Sequence, residues 1–149
     1  MDMNTKASEF LALLASINPS SQAVGSLTTG WISMSNVRTL LAIISTGTLG
    51  ASATVDANLQ QAMDATGTGA KPVTGKAITT IPAATGNNTQ ALINLQTHEL
   101  DVNNGFQFVE LTLTVGVAAS ETAGFILGAS ARYEPASSLN QAGVTQIVG

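Results

Sequence analysis

Phe106-Gln107-Phe108-Val109-Glu110-Leu111-Thr112-Leu113-Thr114-Val115-Gly116-Val117 alternates from end to end. Val109, Leu111, Leu113, Val115 and Val117 fall on one side of an extended chain. Phe106, Phe108, Glu110, Thr112 and Thr114 fall on the other. Successive side chains of a strand point to opposite faces, so this pattern predicts a β-strand with a valine/leucine stripe toward a core. Asn103-Asn104-Gly105 precedes it and predicts a hairpin turn, because Asn and Gly tolerate positive φ. Residues 122–133 repeat the alternation after it, with Phe125, Leu127, Ala129, Ala131 and Tyr133 on one face.

The same period extends upstream. Residues 89–99 place Ala91, Ile93 and Leu95 on one face, and Gly86-Asn87-Asn88 marks the turn before them. Residues 76–81 read as a short strand stopped by Pro82, after a Gly- and Thr-rich loop over 65–75. Over 53–64, Val55, Ala57, Leu59 and Met63 share one face, while Asp56, Asn58, Gln60 and Asp64 share the other. A helix competes around 58–65, but the alternation and flanking glycines favour a strand. Residues 31–35 are strand-like, and 37–46 are apolar on both faces, which predicts a central strand covered on both sides. A last strand is expected over 144–148. Seven or eight such strands, mostly antiparallel, predict an all-β domain: an antiparallel β-sandwich or jelly roll.

The N-terminal residues read differently. Phe10, Leu13, Leu14 and Ile17 recur at i, i+3, i+4 and i+7, so 7–17 predict a short amphipathic helix ended by Asn18-Pro19. Residues 18–30, rich in Ser, Gly and Thr, read as a linker. The expected organisation is a helical arm and linker over 1–27 and a β-sandwich domain over 28–149. The apolar side of the arm would pack on its own domain or on a neighbouring subunit.

Composition narrows function. The 149 residues carry 5 Lys plus Arg against 9 Asp plus Glu, a net charge of −4. Only 9% of positions are charged, against roughly 25% in an ordinary domain. Ala, Thr, Gly and Ser fill 68 positions. Five dispersed cations cannot form a phosphate-neutralising stripe, which argues against nucleic acid. With no cysteine there is neither a disulfide framework nor a thiolate metal site. No apolar run reaches the roughly 20 residues of a membrane span, and nothing resembles an export signal. Cytoplasmic synthesis is expected.

Each candidate constellation has a plainer reading. Gly69-Ala70-Lys71-Pro72-Val73-Thr74-Gly75-Lys76-Ala77 superficially resembles a phosphate loop. The glycine spacing is wrong, Ala77 stands where a Ser or Thr would hold magnesium, and Pro72 removes a needed N–H. Asp101-Val102-Asn103-Asn104-Gly105 matches a calcium loop only in part, with Thr112 where a bidentate Glu belongs. His98, the one histidine, lies near Glu99 and Asp101 and could form an acid–base or ligand set, but it falls on a solvent face. Asp56 and Asp64 share a face but stand about 27 Å apart along an extended strand. Asn87-Asn88-Thr89 is a glycosylation sequon that, without export, marks only a surface turn. Phe106 and Phe108 could meet a partner or close one end of the sandwich. No catalytic, cofactor-binding or metal-ligating residue is assigned, and a non-enzymatic protein without cofactor is expected.

The runs Thr54-Val55-Asp56-Ala57-Asn58-Leu59-Gln60-Gln61-Ala62, Gly67-Thr68-Gly69-Ala70-Lys71 and Gly75-Lys76-Ala77-Ile78-Thr79 carry a resemblance. So do Leu100-Asp101-Val102 with Gly105-Phe106, and Leu111-Thr112-Leu113-Thr114-Val115-Gly116 leading to Leu127-Gly128 and Ala131-Arg132-Tyr133-Glu134-Pro135-Ala136. Together they resemble a family of small structural proteins of tailed bacteriophages and prophages, encoded among head genes. The resemblance covers roughly residues 30–149 and rests on turns and strand faces. It implies a virion protein: a cement or decoration protein on the outer capsid surface, with the major capsid protein and neighbouring copies of itself as partners. The alternatives are a head-completion or tail component, or a jelly-roll carbohydrate-binding module with Trp31 and Tyr133 as aromatic contacts.

Overall fold

A computed structural model of the chain describes residues 4–149. One helical turn, α1 (Ala7–Phe10), precedes ten strands: β1 (Leu11–Gln22), β2 (Gly25–Thr28), β3 (Ile32–Ser33), β4 (Val37–Thr46), β5 (Thr54–Ala62), β6 (Lys71–Ala77), β7 (Ile81–Pro82), β8 (Gln90–Gln96), β9 (Phe108–Gly116) and β10 (Ser120–Ala131). Short 3-10 turns occupy Thr97–Glu99, Val102–Asn104 and Ala136–Gly143.

The valine/leucine stripe over 109–115 becomes the centre of the core. Val109, Leu111 and Leu113 on β9 are fully buried. Burying each such side chain stabilises by about 1.5–3 kcal/mol. Beside them in the same sheet lie Val55 and Leu59 of β5; opposite, from the other sheet, come Leu40, Ala42 and Ile44 of β4, Leu95 of β8 and Ile126 of β10. One sheet runs β1-β10-β4-β8; the other runs β2-β9-β5-β6, with β3 on β9 and β7 on β5. All pairings are antiparallel. Among the eight longer strands, first pairs with last (β1 with β10), second with seventh (β2 with β9), third with sixth (β4 with β8) and fourth with fifth (β5 with β6). That nested pairing across two sheets is a jelly roll, and the expected all-β antiparallel sandwich is what the chain forms.

The N-terminal expectation is overturned. Only Ala7–Phe10 is helical; Leu11–Gln22 is a strand on the edge of the first sheet, and Gly25–Thr28 an edge strand of the second. A boundary at 27/28 would fall inside β2. The helical spacing has a simple cause. Leu13 pairs with Leu127 and Ala15 with Ile126, so Leu14 is a bulge. A bulge inserts one residue and swaps which parity faces inward. Ala12 faces inward before it and Ile17 after it, both buried. Leu14 packs between them on the core. Two strand registers joined by one extra residue imitate a period of 3.6.

Other boundaries shift for local reasons. Asn103-Asn104-Gly105 does not close a hairpin: it ends a 3-10 turn, with Gly105 left-handed at φ 83°, on the crossing from β8 to β9 between the two sheets. Val117 leaves the core stripe at φ 71° and is exposed. Met63 likewise lies beyond the end of β5 and is exposed. Residues 71–77, expected to start as loop, pair with β5, and Pro72 is tolerated because β6 is an edge strand. Residues 144–149 form no strand.

Candidate interaction surfaces

The two sheets present outer faces of opposite chemistry. On the β2-β9-β5 face, Ser26, Thr114 and Asp56 align across the strands, then Thr28, Thr112 and Asn58, then Glu110 and Gln60. The Ser26 and Thr114 hydroxyls are 2.8 Å apart, and Thr80 donates to Asp56. Glu110 is held above its usual carboxylate range by partial burial, which outweighs the hydrogen bond from Thr28.

The β1-β10-β4-β8 face is the reverse. Its rows read Ser16–Phe125–Ile43–Leu92, Leu13–Leu127–Leu41–Asn94 and Leu11–Ala129–Thr39–Gln96. None of these three rows contains a charge; the next charge along β10 is the exposed Glu121, paired with Ser21. Leu11, Leu13, Leu41, Ile43, Phe125 and Leu127 are half-buried by one another, and Leu92 is 59% exposed. β4 is therefore central in its sheet, as expected, but its outer face is not covered. The stripe Phe125, Leu127 and Ala129 also lies outside, whereas Gly124, Ile126 and Gly128 face the core. The two glycines explain the inversion. A Cβ on Gly128 would come within 2.6 Å of Leu14 Cδ1, and one on Gly124 within 2.9 Å of Leu111 Cδ2. Bulky residues from other strands occupy the space over both glycines, so only Ile126 of this stretch fills the core while Phe125 and Leu127 point outward.

The sequence candidates fall apart spatially. His98 sits not on a strand but in the exposed 3-10 turn after β8. Its neighbour Glu99 turns to Lys76 Nζ at 2.8 Å and to the Gln96 N–H. Lys76 foremost, then that N–H, keep the Glu99 carboxyl below its ordinary range. Asp101 bonds Lys71 Nζ at 2.5 Å and Asn104 Nδ2, and both, Lys71 first, lower its pKa. The partial calcium loop is thus a cross-linked corner. Lys71 also caps the ring of Phe106, which is buried. Asp64 lies in the turn beyond β5 and accepts from both Thr68 and Thr66, which hold its carboxyl far below the usual range. Trp31 lies against Gly67, whose Cβ would meet the indole Nε1 at 2.7 Å; Tyr133 is exposed beside Arg132. Among the described residues no group of three or more His, Asp or Glu could hold a metal, and no helix is long and apolar enough to cross a membrane.

Sequence reasoning passed over one cleft. At the end of the apolar face, an open cleft of about 510 Å3 is lined by residues of 34–38, Thr97 and 130–132, including Arg38 and Arg132.

No protein-family model matches the chain, and no curated protein matches its sequence. Solved structures offer remote likenesses. A chain of Triatoma virus is similar over 92% of this chain and 72% of its own, at 6% identity and TM-score 0.49. A chain of infectious bursal disease virus, Gt strain, is similar over 86% of this chain at 13% identity and TM-score 0.42, and this chain spans only 33% of it. The SPBc2 prophage-derived protein YomS is similar over 80% of this chain and 93% of its own, at 9% identity and TM-score 0.41. Identities this low say nothing of activity, and the jelly roll stands on the strand order and register above.

Proposed function

We propose that the chain is a non-enzymatic structural protein of a tailed-phage virion, a cement or decoration protein that binds the major capsid protein lattice. The carrying observation is the asymmetry of the sandwich: a charge-free leucine, isoleucine and phenylalanine face on one sheet, a hydroxyl-rich face on the other. Contiguous exposed apolar surface on a soluble domain marks an interaction site. A face without charges avoids the cost of desolvating ions when it is covered. The hydroxyl-rich face is suited to water. The sequence resemblance over residues 30–149 supplies the setting, and many copies on a lattice turn modest contacts into large total stabilisation.

The test is the protein content of purified particles. Copy number on the scale of the shell lattice is expected, together with loss of heat resistance when the protein is stripped. Its absence from particles overturns the reading. A copy number matching a single ring supports a head-completion or tail component instead. The carbohydrate-binding alternative is the weaker reading: Tyr133 is exposed, but Trp31 is engaged with Gly67 rather than presented beside it as a platform.

A further inference from the structure

The five cations of this chain are not equivalent. Lys71 and Lys76 are in ion pairs with Asp101 and Glu99. Arg38 and Arg132 are exposed, and neither guanidinium is ion-paired or hydrogen-bonded among the described residues. Both line the same cleft. The register explains why: Val37 of β4 pairs with Ala131 of β10, and the Arg132 N–H donates to Asn36 O at 2.7 Å. Arg38 and Arg132 therefore flank one cross-strand pair on its diagonal, a separation that long side chains span. The Arg132 guanidinium lies 5.7 Å from the centre of the Tyr133 ring, and neither arginine faces a carboxylate among the described residues. An anion between the two would give each the charge partner it lacks.

We infer that this cleft is a carboxylate-binding site, and that its occupant is an aspartate or glutamate side chain of a partner protein docked on the apolar face. Guanidinium groups grip a carboxylate through two parallel N–H···O bonds. Thr97, Ser35, Asn36 and Ser130 add polar groups around them. Position selects the occupant. The row Leu11–Ala129–Thr39–Gln96 of the apolar face lies next to the Val37–Ala131 pair. A partner that covers the face is thereby carried over the arginines, giving an apolar centre with a charged rim. A single free anion in so open a cleft is screened at physiological salt, where the Debye length is about 8 Å, so the site is read at low salt with a multivalent probe. A carboxylate tethered to a docked surface has a high effective concentration instead. The inference goes beyond the virion reading and applies to any partner of this chemistry.

The experiment uses the full chain, labelled with 15N, at low salt. It is titrated with a hexaglutamate peptide and, separately, with inorganic phosphate at matched ionic strength, while backbone amide shifts are followed. Saturable shifts at 36–38 and 130–132 are expected with the peptide. The Arg38→Ala/Arg132→Ala double variant should bind about tenfold more weakly or worse, and Lys6→Ala should bind as the parent does. No shift at these amides, or equal binding by the double variant, overturns the site. Phosphate acting at lower concentration than the peptide overturns the carboxylate assignment. None of these outcomes depends on whether the protein is found in particles.

Discussion

Thr46 shows how a single hydroxyl holds a corner of this protein. Its side chain is 4% exposed, donates to Gly86 O at 2.5 Å and accepts from the Thr89 N–H at 3.0 Å. Replacing it with valine keeps the shape but takes the acceptor from the Thr89 N–H and leaves Gly86 O with the Thr89 hydroxyl alone, so Thr46→Val should cost about 1–3 kcal/mol in urea unfolding. Gly67 is another residue with little latitude. It combines φ of 87° with the rigid Trp31 ring at 2.7 Å from any added Cβ. Gly67→Ala should therefore destabilise by about 1–3 kcal/mol and shift the emission of the one tryptophan. Acid sensitivity also belongs to single residues. Asp64, Glu99 and Asp101 all have lowered folded-state pKa values. Depressed carboxylates stabilise the fold above their unfolded values, and that contribution fades as pH falls below about 4 toward the folded values. Asp64→Asn should flatten the acid limb of a stability-versus-pH curve, chiefly below pH 4. A curve unchanged in that range would remove Asp64 from the account.

Elements differ in how legible they were. β9 and β5 could be read directly because their inward residues are large and their outward ones polar, the case in which period two is unambiguous. β10 could be recognised as a strand but not oriented. Its core face is Gly124, Ile126 and Gly128, and its bulky residues are outside, so hydrophobicity alone assigns it backwards. That inversion hides the apolar face, since the alternation groups Phe125 with Leu127 without saying that their side is the outer one. The arginine cleft was hidden as well, because Arg38 and Arg132 are brought together only by the β4–β10 register. β1 was misread because its bulge falls in the middle of its apolar residues. That bulge is held from outside: Asn140 Nδ2 donates to Leu13 O at 2.9 Å and Leu14 O at 3.2 Å. Asn140→Ala should cost about 1 kcal/mol and speed amide exchange along residues 11–17 while leaving β9 protected. Uniform protection loss across both sheets would mean that Asn140 is not a local clamp.

The whole molecule is a sandwich with unlike outer surfaces, and the scarcity of charge now has a location. Threonine and serine hydrate the β9 side, whereas the central rows of the β4 side carry no ion and its charges, Arg38 and Glu121, stand at the ends. Leu41→Lys, on the outer face, should leave the Tm of the isolated chain within a few degrees while abolishing attachment to any partner that covers this face. A loss of folding instead would show that Leu41 is part of the core. The nested strand order has a consequence in time. Leu11 pairs with Ala129, so the first long strand finds its place only when the last is made. Contacts this distant along a chain close slowly. During that interval the inner edge of β10 and the core residues beneath β1 stay open to other chains. A chain whose β10 is made but whose β1 has not yet docked offers that surface to any neighbour, so the speed of the final strand closure bears on aggregation during folding, beside the stability of the finished sandwich.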